Sequence, residues 1–125
     1  KLCVLGFGME DIRRPERTMV SYLAEMEDMF RQAREQGMGT IALGIPWFDK
    51  NYAGELVQAR LPKWNAGLSR LCEACGVPFV DLYQALGDDP DRWYGERKLP
   101  RHNLSAAGER KVAELVLPLA LRMLQ

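Results

Sequence analysis

The first twelve residues, KLCVLGFGMEDI (1–12), open on a continuous apolar run instead of an alternation of apolar and polar residues. In an extended chain Leu2 and Val4 point to one side, and Cys3, Leu5 and Phe7 to the other. Both sides therefore need cover, as in a strand inside a parallel sheet with helices on each face. Residues 40–48, TIALGIPWF, repeat the pattern and are stopped by Pro46. Residues 77–86, VPFVDLYQAL, pass from a third strand into a helical turn that Asp81 is placed to cap.

Helical periodicity fills the spaces between these strands. From Pro15, which suits a first helical position, to Gln36, apolar residues recur at Met19, Leu23, Met26, Phe30 and Ala33. Residues 49–60, DKNYAGELVQAR, read as a loop entering a short helix. Pro62 cannot sit deep in a helix, so a new helix is expected to begin there, with Trp64, Leu68, Leu71, Cys72 and Cys75 inward and Gly76 as its stop. A long polar loop, GDDPDRWYGERKLPRHN (87–103), precedes a last helix over about 105–124. Ser105 is its expected N-cap, Val112, Leu115, Val116, Leu119 and Met123 its inner face, and Pro118 predicts a kink or an early end.

Strand and helix alternate, which predicts one α/β domain over residues 1–125. Its architecture is a three-layer αβα with a parallel sheet and right-handed crossovers. Ligands of such sheets bind at the carboxyl ends of the strands. Residues 6–12, 46–52 and 91–103 gather there, among them the loop aromatics Trp47, Phe48, Trp93 and Tyr94, which either line a pocket or cover the core. The first strand has only one neighbour within the chain, although its two apolar faces call for neighbours on both edges. The expectation is that the N-terminal strands of the domain are missing. A missing N-terminal segment, a second polypeptide or a twin copy of the chain would cover the edge.

Composition narrows the function classes. Seventeen basic residues balance seventeen acidic ones, which argues against a nucleic-acid partner, and no apolar run approaches the roughly 20 residues of a membrane span. Three cysteines are too few and odd in number for a disulfide scaffold, which favours a reducing, cytoplasmic compartment. Cys72 and Cys75 form a lone C-x-x-C on a helical face and read as core residues, since a zinc site needs a second pair of ligands. Glu10 and Asp11 lack a second acidic or histidine cluster with which to hold a metal. There is no glycine-rich phosphate loop, and no cofactor is expected.

Three stretches, in this order and spacing, resemble one family: the SGNH or GDSL esterases and acylhydrolases. VLGFGMEDI (4–12) stands where the family has its third motif, G-x-N-D. The pair WNAGLSRLCEACG (64–76) and VPFVDLYQAL (77–86) resembles a later helix and strand. NLSAAGERKVAELV (103–116) resembles the helix that follows the family's last motif, D-x-x-H. The resemblance covers essentially the whole chain. It implies a flavodoxin-like fold and ester hydrolysis by a serine nucleophile, with a histidine as its base, an aspartate three residues earlier to orient the histidine, and glycine and asparagine donors for the oxyanion. The substrate implied is a small carboxylic or O-acetyl ester.

Carried over residue by residue, Gly8 and Asp11 match the third motif, whereas Glu10 takes the place of its asparagine. An ionised carboxylate donates no hydrogen bond to an oxyanion. His102 is the single histidine, but Leu99, not an acid, lies three residues before it. Aligned on LSAAG, Asn103 takes the histidine's place and Pro100 the aspartate's, and a one-residue insertion would restore His102. The candidate site is therefore His102 as base, with Gly8, Glu10 and Asn103 around the oxyanion. None of the three serines is placed as nucleophile: Ser21 and Ser69 fall in helices and Ser105 at a cap. Two readings follow. Either the chain is an SGNH-type ester hydrolase whose serine lies elsewhere, inactive by itself, or it is a catalytically dead SGNH-like domain that binds a ligand or partner.

Overall fold

The computed structural model describes residues 1–46, 50–87, 90–95 and 104–125, with side chains at 50–53 and 90 left aside. Its strands are β1 (Leu2–Leu5), β2 (Gly39–Leu43) and β3 (Phe79–Val80). They form one parallel sheet in the order β1-β2-β3, with Val4 opposite Ile41 and Leu43 opposite Val80. The helices are α1 (Met19–Glu35), α2 (Lys50–Cys75), α3 (Leu82–Leu86), α4 (Pro90–Trp93) and α5 (Ala106–Met123).

The pleat divides the core in two. Ala42, with Leu5 at its border, belongs to the layer built from Tyr22, Met26 and Phe30 of α1 and Leu61, Trp64 and Leu68 of α2. Ile41 and Val80, with Leu2 and Leu43, belong to the layer built from α3, α4 and α5, where Val112, Leu115, Val116, Leu119 and Met123 pack inward. Helices on both faces of a parallel sheet make the expected three-layer α/β fold, with a small sheet.

The helices depart from expectation in four places, the first being α4, which forms within the 87–103 stretch expected as a loop. α1 begins after Thr18, whose Oγ1 accepts from the Ser21 amide at 3.1 Å, and Pro15 lies in the turn before it. Arg60 holds that turn from α2, donating to the carbonyls of Ile12, Arg14 and Pro15. α2 does not restart at Pro62; its break is at Gly54, with φ 65°, a conformation that favours glycine. α5 runs through Pro118 to Met123. Pro62 and Pro118 are both exposed, so water can take the carbonyl each leaves without its helical donor. The buried faces of the two helices, Leu61, Trp64 and Leu68 in one and Val116 and Leu119 in the other, offset the lost bonds.

Other local expectations hold. Asp81 Oδ1 accepts from the Gln84 amide at 3.0 Å, Ser105 Oγ accepts from Gly108 at 3.1 Å, and Gly76, with φ 67°, ends α2. Cys72 is buried and Cys75 half-buried, both as free thiols. Burial, followed by the nearby Cys75, pushes the Cys72 thiol up to about 11. Tyr94 is in the core, with Trp93 packed beside it, whereas Trp47 and Phe48 lie outside the described residues.

Candidate functional site

β1 and β2 end side by side, and the chain after each turns across the top of the sheet. After β1 it runs through Gly6–Gly8 into a 3-10 turn at Asp11–Arg13. Gly8 is buried, with φ 121°, and a Cβ there would lie 2.8 Å from Ile45 and 2.9 Å from the Tyr22 ring. Only glycine meets both the backbone demand and the contact. The Tyr22 hydroxyl donates to the Phe7 carbonyl at 3.1 Å, and its ring stacks on Trp64 at 5.1 Å. Burial, with Asp11 nearby, raises the Tyr22 pKa well above the ordinary phenol range, so the hydroxyl stays a neutral donor.

The end of β2 is held from below. Asn65, buried in α2, accepts from the Ile45 amide at 2.7 Å and donates to the Ile45 carbonyl at 2.9 Å. One side chain thus satisfies both backbone groups of a residue that has left its strand. On the far side Leu104 forms an antiparallel bridge with Tyr94, and the Ser105 amide donates to the Trp93 carbonyl at 2.9 Å. Gly108 lies so close to Trp93 that a Cβ would fall 2.1 Å from its carbonyl oxygen. These contacts fix the start of α5 against α4.

Between the three anchored stretches lies a cleft of about 250 Å³, walled by Phe7 and Met9, Ile45 and Pro46, Leu82 and Leu104, with Glu109 of α5 at its rim. The wall is apolar, and Glu109 is the one ionisable group among its described residues. Sequence reading missed Glu109, although its place in the first turn of α5, one residue past the motif-like LSAAG, was a usable signal. An apolar slot of this size suits a short acyl chain more than a polar group.

The predicted site residues divide. Gly8 packs directly beneath the cleft wall at Ile45. Glu10 lies on the exposed turn, its side chain 72% exposed and 3.4 Å from Arg13, while its neighbour Met9 lines the cleft. Asp11 accepts from Arg17 at 3.0 Å and so ties the motif turn to the start of α1. His102 and Asn103, like Leu99 and Pro100, lie outside the described residues. Leu104, which follows them directly, reaches the cleft. No serine lines the cleft among the described residues: Ser21 bonds with Thr18 in the first turn of α1, Ser69 lies on α2, and Ser105 caps α5.

A family model, that of the GDSL-like lipases and acylhydrolases, matches residues 1–111. The chain belongs to this family. No curated protein sequence is significantly similar to it. Solved structures share the fold at low identity. A lipase/acylhydrolase from Enterococcus faecalis is 18% identical with a TM-score of 0.74, the match covering 93% of this chain and 58% of that one. A GDSL-like lipase from Bacteroides thetaiotaomicron VPI-5482 is 15% identical with a TM-score of 0.75, covering 98% and 62%. A peptidoglycan O-acetylesterase is 22% identical with a TM-score of 0.73, covering 98% and 37%. The chain thus spans about three fifths or less of these GDSL-type structures. Among the described residues no helix is long and apolar enough to cross a membrane.

Proposed function

We propose that this GDSL-family domain forms the acyl-binding half of a carboxylic-ester hydrolase site, and that the nucleophilic serine comes from sequence outside these 125 residues. The observation that carries the reading is the 250 Å³ apolar cleft, where the third-motif turn and the start of α5 meet at the carboxyl end of the sheet. A short acyl group fits there, and His102, two residues before the cleft residue Leu104 in sequence, is the proposed base. The covering strands beyond β1, from an N-terminal segment or a second polypeptide, would bring the serine. The names of the E. faecalis lipase/acylhydrolase and the peptidoglycan O-acetylesterase support an ester substrate, and the free cysteines favour a reducing compartment.

A second reading has its own support. Glu10 stands on an exposed turn beside Arg13, where it neither faces the cleft nor offers an oxyanion donor, and Leu99 cannot orient a histidine. On this reading the domain binds an ester or partner without turning it over.

Hydrolysis of p-nitrophenyl acetate separates the two. The 125-residue chain should show no turnover above buffer. The natural polypeptide that contains it should hydrolyse the ester, and His102→Ala should abolish that activity. Turnover by the short chain, or activity in the longer polypeptide indifferent to His102→Ala, would overturn the first reading. An inert longer polypeptide would favour the second.

A further inference from the structure

A larger, half-open pocket of about 670 Å³ lies between α2 and α3, at the carboxyl end of β3. Asn65 and Ser69 of α2 line one side. Phe79 of β3, Asp81, and Tyr83 and Gln84 of α3 line the other. The two spaces share a wall. Asp81 and Tyr83 face the cavity, whereas Leu82 between them faces the cleft. Asn65, which lines the cavity, holds both main-chain groups of Ile45, which lines the cleft.

The chemistry of the lining selects a ligand class. Among the described residues no lysine or arginine lines the pocket, and the Asp81 carboxylate disfavours anions. Within the described residues the Ser69 hydroxyl, the Tyr83 hydroxyl and the Gln84 side-chain amide take no protein partner, and the Asp81 cap engages one carboxylate oxygen. Two aromatic rings, Phe79 and Tyr83, lie among these donors and acceptors. Ring faces beside hydroxyl, amide and carboxylate groups match a ligand with apolar C–H faces and a rim of hydroxyls. The volume falls within the range of small-ligand pockets, about 300–1,000 Å³.

We propose that this cavity binds a neutral, polyhydroxylated ring, a pyranose or short oligosaccharide, with Tyr83 as its platform and Ser69, Asp81 and Gln84 as its hydrogen-bonding partners. In the esterase reading, on which this role alone rests, the sugar is the alcohol half of the substrate and the acyl group reaches over the shared wall into the cleft. Binding itself requires neither serine nor ester.

Amide chemical-shift titration of the 125-residue chain with cellobiose tests the site, with cyclohexanol as the apolar ring and glucose 6-phosphate as the anionic control. Saturable shifts are expected at Ser69, Asp81–Gln84 and Gly87 with cellobiose. The controls should bind more weakly. Tyr83→Ala and Gln84→Ala should each weaken cellobiose about five- to tenfold. Gln84→Ala removes only an exposed side chain, because the cap bond to Asp81 uses the Gln84 backbone. The proposal is overturned if cellobiose gives no saturable shift at these residues, if neither variant weakens it, or if a control binds as well. Failure of ester hydrolysis in the earlier assay leaves this result standing, and absence of sugar binding leaves the esterase reading standing.

Discussion

The two edges of the sheet are unlike. β3 is two residues long and ends in a side-chain cap at Asp81, beside a pocket that mixes aromatic rings with polar side chains. Short length is one way proteins close off an edge strand. β1 is longer and apolar on both sides, and Val4 (45%) and, just beyond it, Phe7 (52%) are exposed. Beyond the end of β1 a groove of about 570 Å³, apolar over most of its surface, runs along Phe7, Tyr22, Met26 and Met29 and takes in Asp11, Glu25 and Asp28. α5 adds Leu117, Leu121 and Leu124, all more than half exposed and well away in angle from its packed face. β3 thus has the character of a terminal strand, while β1 has that of an interior strand with one side bare.

Inward, the turn after β1 and the end of β2 are each anchored, and both anchors can be broken by substitution. Gly8→Ala should be the costliest change. The new methyl meets Ile45 and Tyr22 at under 3 Å, and alanine resists φ 121°. A loss of about 3 kcal/mol or more is expected from urea unfolding. At the end of β2, Asn65→Ala strands the buried amide and carbonyl of Ile45 and should cost about 2–4 kcal/mol. If either change were neutral, the top of the sheet would not be held as described.

A pH titration probes the core that both edges share. Cys72 has its folded pKa raised from an ordinary 9.0 to about 11. The folded state therefore holds this proton more tightly than the unfolded chain. Its contribution is complete below pH 9 and is lost as pH rises towards 11, by about 2 kcal/mol. Unfolding followed from pH 8 to 11 should show this slope in the parent chain and a shallower one in Cys72→Ala.

The smallest stability effect belongs to the outer edge of β1 and sharpens the contrast most. Val4→Lys with Phe7→Lys should change stability by no more than about 0.5 kcal/mol per site, because both side chains are half in water already. The same pair should suppress association, so that light scattering finds the parent chain self-associating and the double variant monomeric. A parent chain that is a stable monomer with β1 bare would refute the interior-strand reading.

Much of the fold was legible in local patterns. Apolar runs of strand length, the helical stripe of Met19–Ala33, and the signals at Asp81, Gly76 and Ser105 depend on neighbours within one turn or one pleat, and each is where it was expected. The motif residues Gly8 and Asp11 were legible for the same reason: the turn they build is local, with Gly8 O accepting from the Ile12 amide at 2.9 Å. Prolines were over-read. Local geometry forbids a proline within a helix only until long-range burial outweighs the lost bond, and α2 and α5 both bury enough at Leu61, Trp64, Val116 and Leu119 to run through one. The cleft and the pocket between α2 and α3 were beyond any local rule. Each is walled by residues far apart in the chain, Met9 with Leu104 and Ser69 with Tyr83, and such pairs meet only when the crossovers close. From its own sequence this protein settles which segments are strands and helices, since backbone sterics and apolar period act over a few residues. Tertiary structure alone decides which side chains face one space, since that depends on how distant segments pack.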